Sequence, residues 1–213
     1  MKKILALILV LGCLFIFASC DVLFPSEEPD TDNTDDTTNE TPDDSASIPD
    51  IQAKIDATAP KGADITVTYN TALGTLNGTY NVAYNEDGTA TVDYSYEKFN
   101  TFTAGQTSTE LKSTTTGTVT VAADGTVSGN LNAEGLTAVS FNLKLDETKL
   151  SGVAINAGIL KATVKAADTA AVLGVALDYD VQLVVTTGTN GVTSLSIGYT
   201  TDMGEVEIVT LYK

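Results

Sequence analysis

Hydrophobic and polar positions along the chain fall into three regimes. Ile4 to Phe17 is an unbroken apolar run, Asp21 to Asp50 is poor in apolar residues, and beyond residue 50 a period of two takes over. In Ile65-Thr66-Val67-Thr68-Tyr69 and Ala90-Thr91-Val92-Asp93-Tyr94-Ser95-Tyr96, apolar residues alternate with Thr, Ser or Asp. An extended strand with that pattern turns one face to a core and the other to water. The longest alternation joins Leu173, Val175, Leu177, Tyr179, Val181, Leu183 and Val185; Val139, Phe141, Leu143 and Leu145 repeat it, as do Leu195, Ile197 and Tyr199. One-sided alternation predicts antiparallel sheet. Ahead of it, Ile51, Ile55 and Ala59 sit at i, i+4, i+8, which predicts a short amphipathic helix over Ile51 to Ala59, ended by Pro60 and Gly62.

Asn85-Glu86-Asp87-Gly88, Asp124-Gly125 and Asn190-Gly191 each separate two alternating segments and supply residues that tolerate positive φ, so each reads as a hairpin. Their unequal spacing argues against true repeats. Residues 51–213 are therefore expected to form a single, mainly β domain of ordinary size. It is an antiparallel meander of about nine or ten strands with one short N-terminal helix. Two closures satisfy the pattern: a curved half-barrel, or a sandwich of two sheets.

The amino terminus has the layout of a signal peptide: Lys2-Lys3, then 14 apolar residues from Ile4 to Phe17, then Ala18-Ser19-Cys20. A membrane-spanning helix needs roughly 20 residues, so a permanent span fits less well. The string Phe17-Ala18-Ser19-Cys20 resembles the bacterial lipobox, although Leu is usual where Phe17 stands. The resemblance implies that residues 1–19 are removed and that Cys20 carries diacylglycerol and often a further acyl chain such as palmitate. Two or more chains make a stable membrane anchor, and the chain is then a lipid-anchored cell-envelope protein. Asp21 resembles the inner-membrane retention signal of enteric bacteria. Cys13, the one other cysteine, falls in the removed segment. The mature chain then has no thiol for a disulfide, a Cys-ligated metal or a nucleophile.

Residues 20–50 read as a lipidated cysteine followed by a disordered acidic linker, because low hydrophobicity and like-charge repulsion oppose folding. A flexible coil of this length spans about 30 Å. Its aspartates lack the spaced DxDxDG pattern that encloses calcium. Asp36-Thr37-Thr38 and Asp44-Ser45-Ala46 resemble the short O-glycosylation acceptor motif of Bacteroidetes.

Composition narrows the chemistry. The sequence has no His and no Trp, and all 11 basic residues are Lys. Those absences exclude the Ser-His-Asp triad, histidine metal sites and bidentate arginine clamps. No P-loop or GxGxxG is present, and no cofactor or metal is expected. Residues 51–213 hold nine Lys against 17 carboxylates, a formal balance of −8, which repels nucleic acid. Two carboxylate pairs, Asp178 with Asp180 and Glu205 with Glu207, have the spacing of general acid–base partners. Both also fall naturally on the wet face of an alternating strand.

Aromatic residues supply the one hint of a site: Tyr69, Tyr80, Tyr84, Tyr94, Tyr96, Phe99 and Phe102 gather in the first third of the domain. They are expected either to build a local aromatic core or to line an apolar cleft or a sugar-stacking platform. Lys98 to Ser108 reads as a long loop at its rim. A short helix followed only by antiparallel strands resembles, in element order alone, the half-barrel lipoprotein carriers of the LolA, LolB and LppX type. That likeness implies a non-enzymatic domain binding an apolar or lipidic molecule. The alternatives are an adhesion module that binds glycan or protein, and an outer-membrane β-barrel.

Overall fold

The computed structural model describes residues 46–100 and 111–213; the signal segment, Cys20, the acidic stretch to residue 45, and Phe102 lie outside the described residues. The elements run α1 (Ile48–Ala57), β1 (Gly62–Thr71), β2 (Gly74–Tyr84), β3 (Ala90–Phe99), β4 (Lys112–Val121) and β5 (Val127–Ser128). They continue through α2 (Ala133–Val139), β6 (Leu150–Asn156), β7 (Ile159–Val164), α3 (Thr169–Leu173), β8 (Val181–Gly188), β9 (Gly191–Thr201) and β10 (Gly204–Tyr212).

All ten strands belong to one antiparallel sheet in the order β5-β4-β3-β2-β1-β10-β9-β8-β7-β6. Two five-stranded meanders are thus joined where β1 lies against β10, from Ala63 opposite Tyr212 to Thr71 opposite Gly204. The first and last strands are central, and β5 and β6 are the edges. A single open sheet decides between the two closures against the sandwich. The turns at Asn85–Gly88, Asp124-Gly125 and Asn190-Gly191 connect the expected hairpins, with Gly88 at φ 82° and Gly125 at φ 83°. Two further turns carry one shared device: Thr71 Oγ1 donates to the Gly74 carbonyl while accepting from the Leu73 amide, and Thr201 Oγ1 does the same for Gly204 and Met203.

One face of the sheet holds the core. Ile65, Val67, Tyr80, Val82, Val92 and Val119 come from one meander, and Leu160, Val164, Leu183, Leu195, Ile197 and Ile208 from the other. Ile48 and Ile51 of α1, Ala138 of α2, and Val172 and Leu173 of α3 join the same cluster, so the three helices cover the inner face. Each such large side chain removed from water contributes about 1.5–3 kcal/mol. The opposite face is mostly Thr, Ser, Asn and charged residues, because strand alternation sends them there.

Three sequence expectations are corrected. Helix α1 starts at Ile48, not Ile51, because Ser47 and Asp50 form a capping box with Pro49 in the first turn. Val139 ends α2, and residues 140–146 form no strand: the Asn142 and Lys144 amides donate to the Leu173 and Val172 carbonyls at 2.8 and 2.7 Å, and the Leu145 amide to Gln52 Oε1 at 2.6 Å. Phe141, Leu143 and Leu145 still pack on the core. Alternation correctly reports which way they face, but their backbone partner is a helix end with orphan carbonyls. Finally, Leu173 closes α3, Gly174 adopts φ 75°, and Thr169 Oγ1 bonds the Leu177 backbone on both sides. The long alternation from Leu173 therefore becomes a strand only at Val181.

Candidate functional site

The chain must cross from edge β5 to edge β6, and it does so over the inner face through α2 and the extended segment 140–146. This crossing divides the open interior into two clefts. The first lies at the end of the sheet where β2 and β10 finish. Ile65, Val82, Val92 and Thr210 form its floor and Ala138, Val139 and Phe141 one wall, around about 130 Å³. An adjoining space of about 280 Å³ is bounded by Ile55, Thr58 and Pro60 beside α1, by Leu143, and by Val192 and Leu195 of β9. Tyr84, Phe141 and Tyr212 line both spaces, which therefore adjoin across these three side chains. Each space alone is smaller than the ~300–1,000 Å³ typical of ligand sites.

Aliphatic and aromatic side chains share the groove lining with hydroxyl, amide and backbone groups, and charged side chains stand at its lip. Asp56 and Lys144 border it and are exposed, whereas Thr210 on the floor is only 4% exposed. Burial pushes the Tyr212 phenol up to about 12, with the nearby Tyr84 adding to it, and burial also raises Tyr84. Both rings keep their protons throughout the physiological range and act as neutral amphipathic walls. Thr58 fixes the α1 side of the groove, since its hydroxyl donates to the Lys54 carbonyl at 2.7 Å and accepts the Val192 amide at 2.8 Å.

The second cleft lies at the opposite strand ends and is richer in tyrosine. Tyr69, Leu76, Tyr96 and Phe99 line about 150 Å³ together with Asn132 and Glu134 at the start of α2. Tyr96 stacks on Tyr94 at 5.6 Å between ring centroids, and Tyr199 on Tyr179 at 5.8 Å. Burial pushes Tyr199 up to about 12, and the Glu134 charge adds to it. Tyr80 sits beneath, 1% exposed, donating its hydroxyl to Asn132 Oδ1, while Asn132 Nδ2 donates to Glu134 Oε2 at 2.8 Å.

The aromatic candidates therefore separate. Tyr69, Tyr96 and Phe99 border the tyrosine cleft, Tyr84 borders the apolar groove, Tyr80 is core, and Tyr94 stacks between Tyr96 and the core. Lys98 and Phe99 belong to β3, and residues 101–108 of the expected loop lie outside the described residues. Phe141, Leu143, Ile55 and Tyr212, which complete the groove, were not singled out from sequence as lining. Asp180 closes a loop: it accepts from Lys165 Nζ at 2.7 Å and from the Ala166 amide at 3.0 Å. Glu205 and Glu207 are exposed on β10. Among the described residues no cluster of three or more His, Cys, Asp or Glu is placed to hold a metal ion, and no helix is long and apolar enough to cross a membrane. No protein-family model matches the chain, and no curated protein is similar to it in sequence.

Proposed function

We propose that this chain is a lipid-anchored cell-envelope protein whose β domain is a non-enzymatic binding module for an apolar chain or ring. The observation that carries the reading is the pair of adjoining spaces beneath the crossing segment, lined by Tyr84, Phe141, Leu143 and Tyr212 with charged side chains at the lip. The volume is small because the three helices fill most of the inner face. It suits one short acyl chain, or part of a larger lipid, better than a whole diacyl lipid. Anchoring through Cys20 would hold the domain on a membrane, and the acidic stretch would serve as its tether.

Two measurements test this reading. Labelling of growing cells with an alkyne palmitate should mark the chain and fail to mark Cys20→Ser; equal labelling of both would refute the anchor. Mass spectrometry of the natively purified protein after organic extraction should find an apolar molecule, and Leu143→Asp should abolish it. Finding none, or finding the same amount on Leu143→Asp, would refute the groove as the binding site.

The tyrosine cleft supports a second reading, glycan binding at an adhesion surface, because Tyr69, Tyr96, Asn132 and Glu134 combine flat rings with hydrogen-bonding groups. Loss of glycan-array binding in Tyr96→Ala with groove binding intact would favour it.

A further inference from the structure

The two edges of the sheet are unequally protected. At β6, the register shifts between Ser151 and Ala154, Gly152 adopts φ 60°, and the Lys149–Asp146 ion pair precedes the strand. Bulges and charges of this kind prevent another strand from adding to an edge. At the other edge β5 is two residues long and covers only Thr120 and Val121 of β4. Among the described residues, the remainder of β4 is paired on its β3 side alone, in unbroken register from Lys112 to Val121. It contains no proline, bulge or positive-φ residue. Thr114, Thr116 and Thr118 are exposed along it. Such an edge offers a row of backbone donors and acceptors to an extended partner.

We propose that β4 is a homotypic pairing edge, in which Lys112–Thr118 pairs antiparallel with the same stretch of a second copy about Thr115, continuing the sheet across two molecules. Two features select a second copy. Each chain carries a formal charge of −17, yet Ser113 to Ala123 contains no charged residue, so two copies pairing there set no like charges of that strand against each other. The register about Thr115 also brings opposite charges together. Lys112 falls opposite Thr118 of the other copy, whose hydroxyl already donates to Asp93 at 2.6 Å. That carboxylate lies two strand spacings away, about 10 Å, a gap that extended lysine and aspartate side chains span. Asp93 has no ion pair of its own among the described residues, whereas Lys112 rests on Glu97 at 3.1 Å and is 39% exposed. Twofold symmetry makes the contact twice, and pairing through one shared strand closes at two copies.

The test uses the full chain with Cys13→Ser and Cys20→Ser, so that introduced cysteines are unique. Sedimentation equilibrium should show a concentration-dependent dimer, and Thr115→Cys should form an intermolecular disulfide under mild oxidation. Thr120→Cys, at a position β5 covers, should not. Thr114→Lys with Thr116→Lys places lysines directly opposite one another on an exposed face and should weaken dimerisation at least tenfold without altering the circular dichroism spectrum. A monomer at every concentration, a dimer untouched by the paired lysines, or equal cross-linking at 115 and 120 would overturn the proposal. So would a monomer in which the amides of Thr114, Thr116 and Thr118, which face away from β3, resist hydrogen exchange, because another segment of the same chain would then occupy the edge.

Discussion

At the scale of single residues, Tyr80 shows how the packing was achieved. Its ring fits because Gly78 and Gly135 leave space, since a Cβ at either would meet it; Gly117 makes the same room for the Tyr94 ring. The phenol then keeps a partner in Asn132. Tyr80→Phe should cost about 1–2 kcal/mol in urea unfolding, the value of a buried hydrogen bond whose acceptor retains the Gly135 amide. Gly135→Ala should cost more, about 1–3 kcal/mol, through overpacking. Tyrosine ionisation gives a second check. Burial raises Tyr80, Tyr84, Tyr199 and Tyr212 above the ordinary value of 10.0, Tyr199 and Tyr212 to about 12. The folded state then holds more protons than the unfolded state between these values, so the stabilisation is complete below pH 10 and is lost as pH rises towards 12. Absorbance titration should show Tyr80, Tyr199 and Tyr212 ionising well above pH 10, together with loss of the sheet signal; ionisation of these three near pH 10 in the folded protein would contradict the packing. The sequence marked Tyr80 as part of an aromatic group, but period-two alternation says only that a ring points inward. Whether it is core or cleft depends on one glycine two residues away, Gly78, and another in α2, Gly135.

At the scale of elements, backbone partners decide what alternation leaves open. Leu143 and Leu183 obey the same period, yet Leu183 lies in a strand and Leu143 in a crossing segment bonded to the end of α3. The helix start was legible in principle, since Ser47 followed three residues later by Asp50 is a capping signature. It was masked by the acidic composition around it, which reads as linker. Ser47→Ala should cost about 1 kcal/mol and fray the first turn of α1, measurable by chemical denaturation. Thr58→Val removes a donor and an acceptor that tie α1 to β9, and should cost about 1–3 kcal/mol. Because that tie holds one wall of the groove, the same variant should loosen ligand binding; unchanged affinity would separate the groove from α1.

At the scale of the whole molecule, the meander and its one-sided core were legible because hairpin turns and alternation are local signals. The strand order was not: nothing in the sequence of β1 or β10 announces that the first and last strands pair in the middle. Gly204 marks the seam. It sits at φ 157° opposite Thr71, and any Cβ there would collide with the Asn70 carbonyl. Gly204→Ala should therefore be among the most destabilising single substitutions, about 2–4 kcal/mol, and should unfold both meanders together; separate transitions would show that the two halves are independent. The crossing between the outer strands likewise has no local signature, and it creates the groove on which the functional reading rests. That reading is tested most directly by titrating the isotopically labelled full chain with decanoate and following amide and methyl shifts. Saturable shifts are expected at Ile55, Leu143, Val192 and Leu195, and those at Ile55, Val192 and Leu195 should vanish in Leu143→Asp. Shifts that never saturate, or that fall at Tyr69, Leu76 and Tyr96 instead, would contradict it.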